Sequence, residues 1–473
     1  MKNDLFQHIK RASAIITLML LLFSCATYNN RIQNYYGQMA NSNYKKADAA
    51  LDNISLLKKD RNKLLYLLEK GKMAHLLQQY DSSNQYFNAA DSFMEDTRTS
   101  LKDVALGTLL NPMMQTYRGE DFEKFMVHYY KALNYIYLGQ PDEAMVEARR
   151  ITLQSYAQQD KAGNSNKYSN DAFSLILQGV IYEQSGDINN AFISYRNAAD
   201  IYLKNKNTYY GVVTPAQLKY DVVRTAIANG FDDEAERYQQ LFNFSYKEEK
   251  PWEGGELVLF WENGLAPVKV QQDFYFALVK DGLGNFGFVD PSGAFNIPFD
   301  FSTGARREDL KLSELRSIHV AFPKYVEQPM YYSGATLAGN DETFGFEPAQ
   351  DINALAFATL RERFLKEMGI TLSRVALKKL AEAAARPKSD DKHKDEKEAL
   401  ALAIQIFNFA SEKADTRNWQ SLPHTIYYTR IPLLRGKNRF SLNLETTAGQ
   451  GRSLVIEVEG TGRLQVRNVS TLR

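Results

Sequence analysis

The sequence predicts an α+β multidomain chain: an N-terminal α-solenoid of helix pairs, then an antiparallel β-sandwich-like region with an inserted helical hairpin. Three observations carry this reading. A frame of small, aromatic and glycine residues recurs between residues 28 and 245. From Pro251 the apolar period changes from that of a helix to that of a strand. Helical periodicity returns between residues 351 and 416, broken by a charged run, and alternation resumes to the end. At 473 residues, 44% hydrophobic and 12% aromatic, the chain has material for several cores.

Residues 1–24 read as a secretory signal. Lys2, Lys10 and Arg11 precede an apolar run from Ala14 to Phe23, short of the about 20 residues that span a bilayer. The run ends at Cys25, the single cysteine of the chain. Leu22-Phe23-Ser24-Cys25 resembles the lipobox of bacterial lipoproteins: an aliphatic residue, a variable one, a small one, then Cys. That resemblance implies cleavage before Cys25, a diacylated thiol and an acylated amino group. It also explains the cysteine count, because a thioether is inert where a lone thiol is a liability. Two or more acyl chains hold stably at a membrane where one does not. Ala26 follows Cys25, and no acidic pair lies in Ala26 to Arg31. In Gram-negative lipoproteins this resembles outer-membrane sorting with the protein facing the periplasm. Cleavage removes three bases and one acid from the 57 and 56 of the chain, so the mature protein is almost neutral. No basic stripe marks nucleic acid, which is excluded as a partner.

The helical repeat domain is expected over 25–246. "ALNYIYLGQPDEAMVEARRI" holds Ala132, Tyr135, Gly139, Ala144 and Ala148; "LQGVIYEQSGDINNAFISYRNAA" holds Gly179, Tyr182, Gly186, Ala191, Tyr195 and Ala198. The two frames superpose and resemble tetratricopeptide (TPR) repeats, which implies a TPR-like α-solenoid. Small residues, Gly186 and Ala191 among them, are expected where paired helices approach closely, with the glycine turning the chain and aromatics filling the gap to the next unit. Weaker copies centre on Ala47; on Gly71, Ala74, Phe87 and Ala90; and on Ala226, Gly230 and Ala235, giving about five helix pairs. An irregular helical domain without superhelical stacking is the alternative. The insert before Tyr129 holds Glu120, Asp121, Glu123 and His128. Glu123 and His128 do not share a helix face, so the reading is a capped helix start rather than a metal site.

The β region is expected over 251–350. "ELVLFWENGLAPVKV" reads as a strand, an Asn263-Gly264 turn and a strand, that is, a hairpin. "FYFALV", "FGFVD", "FNIPF" and "SIHVAF" are further short strands. "GLGNFG" at 282–287 matches a dinucleotide fingerprint, but a strand-like segment follows where that motif needs a helix, so it reads as a hairpin loop. The helical hairpin is expected over 351–416 with a charged linker at 386–398. Phe357, Leu360, Phe364 and Met368 share a face of its first helix. Its second apolar stretch, Ala399 to Ala410, is too short to cross a bilayer and is expected to pack on the β region, with membrane contact as the alternative. Asp415, Arg417 and Trp419 lie between that helix and Pro423. Either Trp419 plugs the join while Asp415 pairs with Arg417, or the Trp-Arg pair is an exposed hot spot for a partner. Residues 420–473 supply terminal strands that complete the β region, with Phe440, Leu442 and Leu444 alternating, then Leu454, Ile456 and Val458.

The order of parts resembles an uncharacterised family of TPR-like lipoproteins of bacterial envelopes, carried by "YRGEDFEKFMVHYYKALNYIYLGQPDEAMVEARR", "ENGLAPVKV" and "EKADTRNWQSLPHTIYYTRIPL". Members of that family tend to be encoded near lipoproteins similar to penicillin-binding-protein activators. The resemblance implies a place in cell-wall synthesis and assigns no catalytic residue.

The function expected is therefore a periplasmic scaffold. The helix array would bind envelope proteins in its groove, and the lipid would hold the membrane. A glycan-binding module using Trp252, Trp261 and Trp419 is the alternative, and a wall hydrolase a further one. The only thiol is the lipidation site, and His-Glu-x-x-His and Gly-x-Ser-x-Gly are missing from the mature sequence. No catalytic residue, cofactor or metal is expected.

Overall fold

The computed structural model describes residues 28–96, 112–162, 170–248, 252–280, 286–299, 318–385, 412–449 and 451–473. Cys25, the linker 386–398 and the apolar stretch Ala399 to Ala410 lie outside them. The described chain is mixed α and β, with helices in the first half and three four-stranded sheets in the second.

Among the described residues, ten helices form five consecutive pairs: α1 (Tyr28–Ala40) with α2 (Tyr44–Asp52), α3 (Lys63–Leu76) with α4 (Tyr80–Glu95), α5 (Asp121–Tyr137) with α6 (Pro141–Ala162), α7 (Ala172–Gln184) with α8 (Ile188–Lys204), and α9 (Ala216–Ala228) with α10 (Asp232–Phe242). Two short antiparallel strands, β1 (Thr208–Tyr209) and β2 (Val212–Val213), lie between α8 and α9. One turn recurs in every pair. After α5, the Gln140 N–H donates to the Tyr135 carbonyl and Gly139 sits at φ +68°. Gly186 (φ +81°) and Gly230 (φ +73°) repeat this after α7 and α9, with Asp187 bonding Tyr182 and Phe231 bonding Ala226. The left-handed cap satisfies the last carbonyls and reverses the chain tightly. Gly186 turns the chain as the frame predicts, but its expected packing role fails: no atom lies within 4 Å of a Cβ added there, so its need is backbone conformation and not packing space. Close packing falls on Gly71 and on Gly179, the small residue that opens the frame, where an added Cβ would run into the rings of Phe87 and Tyr195 on the paired helix. Ala191 is fully buried.

The first sheet has the order β10 (Glu347–Asp351), β11 (Thr425–Pro432), β3 (Gly255–Asn263), β14 (Arg463–Thr471). The two segments of "ELVLFWENGLAPVKV" do not pair as a hairpin. β3 lies between β11 and β14, while β4 (Val268–Lys280) belongs to another sheet. Gly264 (φ +66°) turns the chain between sheets, its N–H donating to the Thr471 carbonyl at 2.9 Å. The sheet is also not purely antiparallel, because β14 runs parallel to β3. β14 is entered by a crossover from the second sheet, at a turn where Gly462 N–H reaches the Gly254 carbonyl, and that entry sets its direction.

The second sheet runs β13 (Arg452–Gly460), β12 (Gly436–Thr446), β8 (Tyr332–Gly339), β9 (Glu342–Gly345). Its Leu337, Phe440, Leu442 and Val458 share one core with Leu257, Leu259 and Trp261 of β3. The alternate β3 residues, Val258 and Phe260, join the core of the helix array. β3 is therefore buried on both faces, which is why its sequence is a continuous apolar run.

The third sheet, β6 (Asn296–Phe299), β5 (Phe286–Val289), β4, β7 (Ile318–Val326), packs against α11 (Ile352–Ala385). Phe364 of α11 meets Phe274, Phe295 and Phe322, while Phe357, expected on the same buried face, is 42% exposed. Phe286 and Gly287 stand in β5, so a strand and not a helix follows "GLGNFG". Residues 412–416, expected at the end of the hairpin, are without helix. Among the described residues, no helix is long and apolar enough to cross a membrane.

Candidate functional site

The helix array meets the first sheet through buried charges. Glu262, on the helix side of β3, pairs with Lys72 of α3, and both side chains are fully buried. It also accepts from Tyr129 (3.0 Å), Tyr130 (3.2 Å), Asn468 (2.8 Å) and Ser470 (2.7 Å). Burial alone would raise this carboxyl; the Lys72 ammonium outweighs it and holds the group down at about 2. Beside it, burial and the Lys72 charge push the His75 imidazole down to about 4.

Two further ionic joints flank this one. Arg430 of β11 reaches Glu183 of α7 (2.7 Å) and Asp221 of α9 (3.1 Å), and Arg224 closes the group on Glu183. At the start of α5, Glu120 pairs with Lys269 of β4 and with Arg363 of α11. Burial opposes the ionised form of Glu120, but the two cations hold it at about 2. Its neighbour Glu123 accepts from the N–H groups of Trp419 (2.7 Å) and Glu120 (2.9 Å) and from Tyr117 (2.7 Å). Burial, then the charge of Glu120, raise Glu123 to about 7.

The acids and histidine weighed as a metal cluster do not converge. Glu120 and Glu123 serve the joint just described, and His128 faces Glu147 at 2.8 Å. Asp91, His128 and Glu147 do bring ligand atoms within 4.8 Å of one another. Lys131 Nζ, 2.9 Å from both Asp91 and Glu147, already supplies the positive charge those carboxylates need.

Asp415, Arg417 and Trp419 come together at the array. Arg417 is 1% exposed, holds Asp415 through two nitrogens, and donates to Asn62 (2.8 Å) and the Gln115 carbonyl (3.0 Å). Trp419 is fully buried against Phe87 and Tyr130, its indole N–H on Ser421. Trp261 is equally buried, stacked on Tyr427. Neither Trp261 nor Trp419 offers a face to a sugar, and the Trp419–Arg417 pair offers no exposed surface to a partner.

Trp252 differs: it is 42% exposed. It stands on a cleft of about 1130 Å³ between α9, the segments beside β3 and β11, and the run from β9 into β10. Phe244, Phe344 and Tyr220 line it with Trp252. Glu347 on its rim accepts from the N–H groups of Ala216 and Gln217 at the start of α9, both at 3.1 Å. Glu253 and Glu342 are exposed and have no ion-pair partner among the described residues. On the inner wall Tyr428 is 1% exposed, and its hydroxyl has no hydrogen-bond partner.

Neither a family model nor a curated protein matches the chain. A solved structure titled "Crystal structure of BtubC (BKLC) from P. vanneervenii" is similar over 45% of this chain and 77% of that one, at 16% identity and a TM-score of 0.29. At that TM-score the likeness carries no argument.

Sequence patterns missed Lys72, Glu262 and Arg430. The available signal was a charge set in an apolar context: Lys72 within "EKGKMAHLL" and Glu262 ending "LVLFWE". A charge in such a position is buried only with a partner, and the partner is remote in sequence.

Proposed function

We propose that this chain is a lipoprotein of the bacterial outer membrane, anchored at Cys25 and facing the periplasm. Its TPR-like array and sandwich-like β region act as one rigid scaffold for envelope proteins. The observation that supports this is the buried charge at the joint. Lys72 and Glu262 come from the two halves, and separating them would leave two unpaired charges in an apolar core. A chain welded in this way holds its surfaces at fixed relative positions, as a scaffold requires. The strongly shifted groups Glu262, Glu120 and His75 are saturated by protein partners, which favours a structural part for them over acid–base chemistry. The glycan-binding reading now rests on Trp252 alone.

The test is photo-crosslinking in intact cells followed by purification through the full chain. Specific envelope proteins are expected, and their capture should fail in Cys25→Ser, which leaves an unlipidated precursor. Normal processing of that variant, with unchanged outer-membrane fractionation, would overturn the anchor. Capture of no protein above the level of an unrelated outer-membrane lipoprotein would overturn the scaffold.

A further inference from the structure

We propose that the cleft beside Trp252 binds an extended peptide segment bearing lysine or arginine, contributed by a partner protein. The inference rests on the scaffold reading and names the surface and chemistry it uses. Charge is the first argument. Glu253 and Glu342 face solvent without an ion-pair partner among the described residues. Arg430, the cation deepest in the wall, is already engaged by Glu183, Asp221 and Glu256, which leaves Arg435 as the opposing charge on the lining. An acidic mouth with aromatic walls suits an ammonium or guanidinium, which gains from carboxylates and ring faces together. Backbone geometry is the second. β9 and β10 follow one another in sequence as edge strands of two different sheets, and both border the cleft. A strand edge accepts another extended chain through main-chain hydrogen bonds. A volume of about 1130 Å³ accommodates several residues of peptide.

The experiment selects a random phage-displayed peptide library on the mature chain, residues 25–473. The enriched peptides are then resynthesised and titrated by fluorescence anisotropy. Enrichment in Lys and Arg is expected, with affinity falling about tenfold in Glu253→Gln/Glu342→Gln and falling again as salt is raised. Both glutamates are exposed, so the double variant should keep the parent melting temperature. Trp252→Ala is the second variant and should weaken the same peptides. No enrichment, enrichment without basic residues, or affinity unmoved by both variants would overturn the proposal. A chito-oligosaccharide that binds in place of peptide and is lost in Trp252→Ala would overturn it in favour of glycan. If crosslinked partners are captured equally by the Glu253→Gln/Glu342→Gln chain, the cleft assignment fails while the scaffold stands.

Discussion

His75 donates through Nδ1 to Asn134 at 2.6 Å and accepts at Nε2 from Asn468 at 3.0 Å, which only the neutral imidazole can do. Burial and the Lys72 charge lower it from the ordinary 6.5 to about 4. The folded chain therefore binds fewer protons than the unfolded chain between those values. Stability from this group is present above 6.5 and lost as pH falls toward 4, by at most about 3 kcal/mol. The melting temperature should fall across that window, and His75→Gln should flatten the fall. An identical slope in the variant would remove His75 from the account. Glu123 has the opposite sign. Its carboxyl is raised to about 7, so its contribution is complete at acid pH and lost as pH rises through neutrality. Glu262 and Glu120, both held at about 2, lose theirs only on stronger acidification, which separates them from His75.

The turn inside each helix pair shows what local sequence controls. Three pairs put glycine at the left-handed cap, and two do not: Ser42 stands there after α1 at φ 56° and Gln78 after α3 at φ 60°. The hydrogen bonds are the same, with Asn43 N–H on the Gln38 carbonyl and Gln79 N–H on the Ala74 carbonyl. An ordinary side chain in that conformation is strained by about 1 kcal/mol. Gln78→Gly should raise the unfolding free energy from urea titration by an amount of that order, and Gly186→Ala should lower it similarly. If Gln78→Gly were neutral or destabilising, the cap would not be the strained point. The glycine-marked pairs were legible because the cap is a local device. The Ser42 and Gln78 turns were not, since nothing in those side chains announces a positive φ.

At the scale of the molecule, β3 is the shared wall of two cores. Val258, Phe260 and Glu262 face the helices, while Leu257, Leu259 and Trp261 face the second sheet. Cooperative unfolding of array and sheets together follows. Lys72→Met should leave the Glu262 charge buried and unpaired, at a cost of about 3–5 kcal/mol. Calorimetry should show one transition for array and first sheet, moved down as a unit. A variant in which only one of two separate transitions shifts would show that the halves unfold independently.

The residues alone marked the helix pairs and many of the strands, because periods of 3.6 and 2 and turn chemistry act over a few residues. They placed Arg417 and Trp419 just ahead of the terminal strands, and "GLGNFG" ahead of a strand. Only the tertiary structure decided which strands pair. It set β3 between β11 and β14, overturning the Asn263-Gly264 hairpin, and it made β14 parallel. It also decided that Glu262 would find Lys72 across 190 residues and that Trp252, among three tryptophans, would stay open to solvent. The physical reason is the same in each case. Strand partners and buried ion pairs are chosen by which apolar faces exclude water together, and that depends on the whole packing and not on sequence neighbours.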